Sequence, residues 1–475
     1  MGRKEKNMNE NTLERTFELK DGTAGERLVV RAKPLGGGGQ GSVYFMPAQN
    51  GMPEKAVKVL KNSSPEFREH IKALTETKFH RDLPVCRPEK WFETTGGEFG
   101  YIMELIGEGF VEYSELIKAL TEQRKDNIPR LTALCRICYE LSDIIRYIHG
   151  KGWLYPDFSE KNFAFHPQYG LVQIFDSENM VDMKDAAKGT TFISGSFGTM
   201  APELLLNEAK PNEDTDNFAL ASVIFQLFLY HYPYDAKAMI GVVQDQEYYQ
   251  EHHGRKPVFA FSAKNKAALP RKGTFEGLWE KWDAMPYELR EMFVRAFEQG
   301  AKNPKVRPKP EEWMALFSEL STKVMYCPDC RCEVFVNGET SYKCPECGKT
   351  VKVEYLHLRY GERKRMLPLF KNQQISPYQS EPGGGEEKAF SFHQAVIPVA
   401  GILIDADGAN LVNLDPRKVR WFCQYGVEDE EGRVREITQY WELGEGGLLA
   451  ESIYVLIPLC EENCILTCGE EGGDA

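Results

Sequence analysis

Apolar residues recur along this chain with two different periods, and the places where the period changes divide it. Around Lys58, in KAVKVLK, apolar and polar residues alternate with the two-residue repeat of a strand. At Leu131, Leu134, Cys138, Leu141, Ile145 and Ile148 they return every three or four residues, the stripe of a helix that buries one face. Val172-Gln-Ile-Phe175 is a short apolar run of the buried-strand kind. The two textures alternate from about residue 14 to 322 without a low-complexity break. Residues 324–356 are Cys-rich and dense in turns, and 357–392 read as a linker, first basic and aromatic, then rich in Pro, Gly and Glu. Within 393–460, VIPVAGILI, NLVNL, VRWFCQY, REITQYWEL and SIYVLIPL read as short strands between Gly and Asp turns. Residues 461–475 are acidic and Gly-rich and are expected to fray. The pattern predicts an α+β unit over 14–322, a small Cys-rich unit over 324–356, a linker over 357–392, an all-β unit over 393–460 and a tail over 461–475.

Composition narrows the classes. A chain of 475 residues has room for two or three domains, and 42% hydrophobic with 27% charged residues is ordinary for a water-soluble protein. No apolar run reaches the roughly 18–20 residues of a membrane span. The start, MGRKEKNMNENTLERTF, has no signal-peptide core, and Lys6 stands where an N-myristoylation signal needs Ser or Thr. The expected location is therefore cytoplasmic, with no membrane partner. A net charge of −13 argues against general attraction to nucleic acid. In such a setting, 12 cysteines, several in tight pairs, point to metal or core packing before disulfides.

Seven short elements carry candidate chemistry. Gly36, Gly38 and Gly41 form G-x-G-x-x-G, followed by Val43, where missing side chains let backbone N–H groups approach phosphate oxygens. A P-loop would need Lys where Ser42 stands, and a dinucleotide fold would need a helix where SVYFMPA reads as strand. Lys58 lies on a strand 17 residues later. Then come Tyr155-Pro-Asp157, with Asn162 five residues after the Asp; Asp176-Ser-Glu178 at the end of a buried strand; Gly198-Thr-Met-Ala-Pro-Glu203; the run from Asp216 to Phe228; and Asn303-Pro-Lys-Val-Arg-Pro308.

In this order and spacing the seven elements resemble the eukaryotic-like protein kinase family over residues 14–322. The resemblance implies a bilobal fold with ATP between the lobes. It implies Lys58 on the α and β phosphates, Asp157 at the attacking hydroxyl, and Asn162 and Asp176 on magnesium. Met103 would be the gatekeeper, Glu104 and Ile106 would offer hinge backbone to adenine, and Arg307 would pair with Glu203. Glu69, with Glu76 as the alternative, would pair with Lys58 from the helix after it. The departures matter too. H-R-D has become Tyr-Pro-Asp, losing the arginine that grips a phosphorylated activation loop. D-F-G has become Asp-Ser-Glu. The catalytic-loop lysine is missing at Ser159, with Lys161 two residues on as the candidate to reach the γ-phosphate. An active kinase, of Ser/Thr rather than Tyr type and acting on a protein substrate, is the leading reading. A nucleotide-binding pseudokinase scaffold and a small-molecule phosphotransferase remain open.

Cys327, Cys330, Cys344 and Cys347 form C-x2-C–x13–C-x2-C, a strong pattern for structural zinc, with EVFVNGETSYK between them read as a hairpin turning at Asn337-Gly338. Cys332 reads as a bystander and Cys135 and Cys138 as core. Cys460, Cys464 and Cys468 recur every four residues, as a metal or redox patch or by incidental placement. The order kinase, zinc ribbon, β-domain resembles bacterial kinases of tellurite-resistance-type phosphorylation systems, which implies a von Willebrand A-domain protein and a protein phosphatase as partners.

Overall fold

A computed structural model describes residues 13–20, 27–61, 63–124, 126–189, 195–273, 275–360, 363–379, 392–404, 409–418, 420–428, 433–448, 453–458 and 463–468. Its first lobe is built on a hairpin, β1 (Glu14–Glu18) with β2 (Arg27–Arg31), and a five-stranded antiparallel sheet. The sheet contains β3 (Gly36–Gly37), β4 (Gly41–Met46), β5 (Lys55–Leu60), β6 (Lys90–Glu93) and β7 (Phe99–Met103), in the order β3-β4-β5-β7-β6. Alternation sorts its side chains by face. Tyr44, Val57, Val59 and Ile102 pack with Phe17, Leu28 and Val30 of the hairpin. Ala56, Leu60, Phe99, Tyr101 and Met103 pack with Ile71 of helix α1 (Pro65–Glu76). Helix α1 starts where it does because the Ser64 hydroxyl accepts the Phe67 N–H at 3.2 Å and Pro65 follows in the first turn.

The second lobe is helical. Helix α2 (Tyr113–Thr121) leads to α3 (Leu131–Gly150), whose apolar stripe is buried in the main core. Helix α4 (Glu213–Leu229) is buried from Thr215 to Leu229, so its sequence is apolar on every side rather than striped. Asn212 caps it and puts Asp216 in the first turn. Helix α5 (Pro310–Ser321) closes the lobe, with Phe317 stacked on Phe228 of α4. The expected α+β architecture is therefore present in this part of the chain.

After α5 the structure departs from the sequence reading in three places. The Cys-rich segment is two hairpins, Val324–Tyr326 with Glu333–Phe335 and Ser341–Lys343 with Thr350–Lys352. The expected hairpin of Glu333–Phe335 with Ser341–Lys343 is absent from the described pairings. The reason is local. Each Cys-x2-Cys turn folds back on its own flanks, with Cys327 N–H on Cys332 O and Cys344 N–H on Lys349 O, both at 2.8 Å. Second, residues 357–392 are not only a linker. Tyr355–Tyr360 and Arg363–Pro368 form a hairpin inside a six-stranded sheet, and Gln373–Ile375 edges a four-stranded one. Third, the tail is not wholly frayed. Asn463–Cys468 lies between Tyr355–Tyr360 and Ile453–Pro458, because Cys-Ile-Leu-Thr within it has the apolar content of a sheet strand. The C-terminal region also holds a short helix, Phe392–Val396, so it is not purely β. Cys460 lies outside the described residues, as do the side chains of Cys464 and Cys468.

Candidate active site

Four elements bring the predicted residues together. Register places Val43, Lys58 and Tyr101 side by side across β4, β5 and β7, on the face toward α1. Lys58 Nζ donates to Asp176 Oδ1 at 2.7 Å and also to Glu178 Oε1. Burial works to lower the Lys58 ammonium, but these two carboxylates outweigh it and hold its pKa above the ordinary lysine value. Asp176 takes a left-handed conformation, φ 53°, at the start of the short turn Ser177–Asn179. That turn is fixed to the first lobe where Ser177 Oγ donates to Cys86 O at 3.0 Å.

Asp157 sits on the loop after α3. Its Oδ2 accepts from Asn162 Nδ2 at 3.1 Å and Asn179 Nδ2 at 2.9 Å, and its Oδ1 accepts from Ser196 Oγ at 3.0 Å. Burial pushes its carboxyl up, against these three donors, which makes it a better proton acceptor than a solvated aspartate. The loop is held from beneath. Asp216 Oδ2 accepts the Tyr155 N–H at 2.7 Å and lies 3.0 Å from His149 Nε2, while the Tyr155 hydroxyl donates to Phe175 O at 2.5 Å. Tyr155 thus ties the Asp157 loop to the Asp176 strand. Farther down, Arg307 grips Glu203 with two hydrogen bonds, 2.6 and 2.8 Å, and adds bonds to Gly300 O and Asp214 O.

The glycine turn folds over this centre. Gly38 N–H bonds Gly41 O at 3.0 Å, and Gln40 Nε2 lies 3.4 Å from Asn179 Oδ1. At Gly41 a Cβ would fall 2.5 Å from Val59 O, so the strand pairing itself demands glycine there. At Gly36 and Gly38 a Cβ would meet nothing within 4 Å. Their openness fits a turn that leaves space for another molecule. At the hinge, Glu104 and Ile106 are exposed, and the Gln173 side chain bonds Leu105 O and Gly107 N–H, both at 2.9 Å.

One predicted pairing, that of a glutamate on α1 with Lys58, is not formed. Glu69 is 72% exposed and pairs with Lys72 at 2.7 Å, one turn along α1, and Glu76 is exposed at the helix end. Neither faces Lys58, because the inward positions of α1 are taken by His70, Ile71 and Leu74. Lys161 is exposed, and the hydroxyl of Ser159, in the lysine's usual place, contacts Ser196 Oγ at 3.3 Å. Glu178, Asn179, Ser196 and Tyr101 were missed. Only Glu178 carried a signal, an acid where the family pattern has glycine. Thr190, Thr191 and Ser194 of the activation segment lie outside the described residues.

A family model for the protein kinase domain matches residues 29–314, well over half of the 475-residue chain. The chain belongs to the protein kinase family. Among curated proteins, none matches it. Membership supports ATP binding and phosphotransferase activity on a protein substrate. No helix among the described residues of this kinase is long and apolar enough to cross a membrane.

The kinase has a second constellation beyond the lobes. The sulfurs of Cys327, Cys330, Cys344 and Cys347 all lie within 4.8 Å of one another, with Cys327–Cys347 at 3.8 Å and Cys330–Cys344 at 3.5 Å. Tetrahedral zinc with bonds of about 2.3 Å sets its sulfurs about 3.8 Å apart, so the donor set fits. The two turns are near copies: Arg331 and Gly348 are both left-handed, and their N–H groups bond Cys327 O and Cys344 O. Backbone N–H groups of Cys347 and Glu346 hold the Cys344 thiol down to about 6. Cys332 packs beside this cluster without being one of the four, its sulfur 3.7 Å from Glu333 O.

Proposed function

We propose that this kinase is catalytically active and transfers the γ-phosphoryl group of ATP, with magnesium, to a Ser or Thr hydroxyl of a protein. The observation that carries the reading is the convergence of Lys58 of β5, Asp157 and Asn162 of the loop after α3, and Asp176: Lys58 bonds Asp176, Asn162 bonds Asp157, and Asn179 of the turn that begins at Asp176 also bonds Asp157. Asn162 and Asp176 are the residues that would hold magnesium, which supplies charge neutralisation on the phosphates when bound. Lys58 adds positive charge beside them. Asp157, with its raised carboxyl, orients the substrate hydroxyl and receives its proton. Positioning and charge are most of what phosphoryl transfer asks of a protein, and the altered Asp-Ser-Glu leaves these groups in place.

Arg307, Glu203 and the buried α4 support a protein substrate over a small molecule, since that set braces the platform beneath the activation segment. The cysteine cluster is read as a structural zinc site. The resemblance to tellurite-resistance-type kinases is the support for a bacterial signalling or stress pathway, and for a phosphatase and a von Willebrand A-domain protein as partners. The loss of lysine at Ser159 favours a second reading, a nucleotide-binding scaffold without transfer. The deciding experiment incubates purified full-length protein with magnesium and labelled ATP and maps phosphorylated residues by mass spectrometry. Phosphoserine or phosphothreonine that disappears in Asp157→Asn supports the proposal. ATP binding without transfer in the wild type overturns it in favour of the scaffold.

A further inference from the structure

Lys58 needs a fixed carboxylate if its ammonium is to stand where phosphates arrive, and α1 does not provide one. Glu69 and Glu76 point to solvent. The helix position that faces the site is His70, and its Nε2 lies 3.0 Å from the backbone carbonyl of Glu178. The carboxylates that reach Lys58 among the described residues are Asp176 and Glu178, and they differ in setting. Asp176 is 37% exposed and opens to the cleft, whereas the Glu178 side chain is 0% exposed. A buried carboxylate persists only when it is paired and hydrogen-bonded. Glu178 has both: Oε1 takes the Lys58 ammonium, and Oε2 accepts from the Tyr101 hydroxyl at 2.7 Å. Tyr101 is the direct cross-strand neighbour of Lys58, so β7 and β5 hold the carboxylate between them.

We propose that Glu178 is the lysine-positioning residue of this kinase, replacing the helix-borne glutamate. It rests on the reading of the lobes as a nucleotide-binding kinase site. The consequence is mechanical. Asp176, Glu178 and Asn179, which bonds Asp157, sit on one four-residue turn. The lysine anchor, the metal-binding carboxylate and a support of the catalytic aspartate therefore move as one unit. Displacing α1 would not separate Lys58 from its carboxylate, as it would if the carboxylate were carried by the helix. His70 instead gives α1 a contact with the backbone of that turn.

The test compares full-length wild type with Glu178→Gln, Glu178→Asp, Tyr101→Phe and Glu69→Gln. Two readouts are used: kcat/KM for ATP, and the pH profile of Lys58 acylation by a small N-hydroxysuccinimide ester, mapped by mass spectrometry. We expect Glu178→Gln to lower kcat/KM by about a hundredfold or more and to make Lys58 acylate at lower pH, since its ammonium has lost a paired charge. Tyr101→Phe should show the same changes more weakly, and Glu69→Gln should stay within about twofold of wild type. The double variant His70→Glu/Glu178→Gln, which offers the carboxylate from the helix, should recover at least about tenfold over Glu178→Gln, a gain that a purely structural role would not give. If Glu178→Gln does not fold, Glu178→Asp with Tyr101→Phe carries the comparison. An unchanged acylation profile in the Glu178 variants, or a loss in Glu69→Gln equal to theirs, overturns the proposal. If the wild type transfers no phosphate, the kinase reading fails by itself, while the Lys58 acylation profile still decides whether Glu178 positions the lysine.

Discussion

The lobes and the cysteine turns solve the problem of holding loops still by opposite means. The Asp157 loop is fixed by a large core and by buried polar ties from Asp216 and Tyr155. The two cysteine turns have only a small cluster beneath them, with Met325, Val336, Val351 and Val353 as its buried apolar side chains besides the sulfurs. The first region would keep its geometry with any one ligand absent. The second has too little apolar surface to do so, and the sulfurs of Cys327 and Cys344 make up part of its small core. Redundant packing leaves side chains free for chemistry, whereas four clustered sulfurs would, with a metal bound, be consumed by holding the fold.

The sharpest way to break this contrast is to remove the metal ligands. Zinc typically contributes roughly 10–16 kcal/mol to small sites of this kind. Cys344→Ser should take zinc from one per chain to near none by elemental analysis, while Cys332→Ser should leave it unchanged. Urea melts followed in the lobes should shift little in either variant, and loss of the whole fold in Cys344→Ser would show that the two regions are not independent. Lowering the pH should release the metal as well, since all four thiolates must stay unprotonated to bind it.

Next in size, Asp157→Asn and Asp176→Asn should each lower phosphate transfer by about a thousandfold or more, roughly 4 kcal/mol, with melting temperature nearly unchanged. A variant that also unfolds would show these groups to be structural. Arg307→Ala removes one partner of a buried pair and leaves Glu203 uncompensated, which should cost about 3–5 kcal/mol in a urea melt. A loss under 1 kcal/mol would show that the core alone holds the platform.

The smallest effect concerns the join between the lobes and the C-terminal sheets. His393 lies 2.9 Å from the buried Glu140 of α3. Burial opposes the imidazolium, but Glu140 outweighs it and raises the His393 pKa, while burial raises that of Glu140. His393 holds its proton more tightly in the folded chain, so its contribution is present below its ordinary value, about 6.5, and is lost as the pH rises through its raised folded value, whereas that of Glu140 begins to fall already above the ordinary carboxyl value, 4.5. The wild type should therefore lose more stability between pH 6 and 8 than His393→Gln does, a difference of about 1 kcal/mol or less in urea melts. An identical loss in both would mean that the pair is not formed.

What the sequence disclosed followed from periodicity and from fixed spacings. The strand at KAVKVLK, the stripe of α3 and the five-residue step from Asp157 to Asn162 each state a local geometry, and the structure has them. The clustering of Cys327, Cys330, Cys344 and Cys347 was legible for the same reason, because each pair lies within one turn. The helix glutamate was misread because a helix surface offers several acids and only three-dimensional packing says which one turns inward. Ser196 and Tyr101 reach Asp157 and Glu178 across 39 and 77 residues, a relation no local pattern encodes. The strand Asn463–Cys468 was lost in its acidic, Gly-rich surroundings because its partner, Tyr355–Tyr360, lies so far back along the chain.

That distant pairing has a consequence for how the chain assembles. Tyr355–Tyr360 and Ile453–Pro458 each depend on residues 463–468 to cover one edge. Contacts of such long sequence separation form late, after a costly loop closure. Until they form, two strand edges stand with unpaired N–H and C=O groups, a template for pairing with another copy. A chain shortened before residue 463 would hold that open state permanently. It should form concentration-dependent aggregates even though residues 14–322, with every group used for phosphate transfer, are intact.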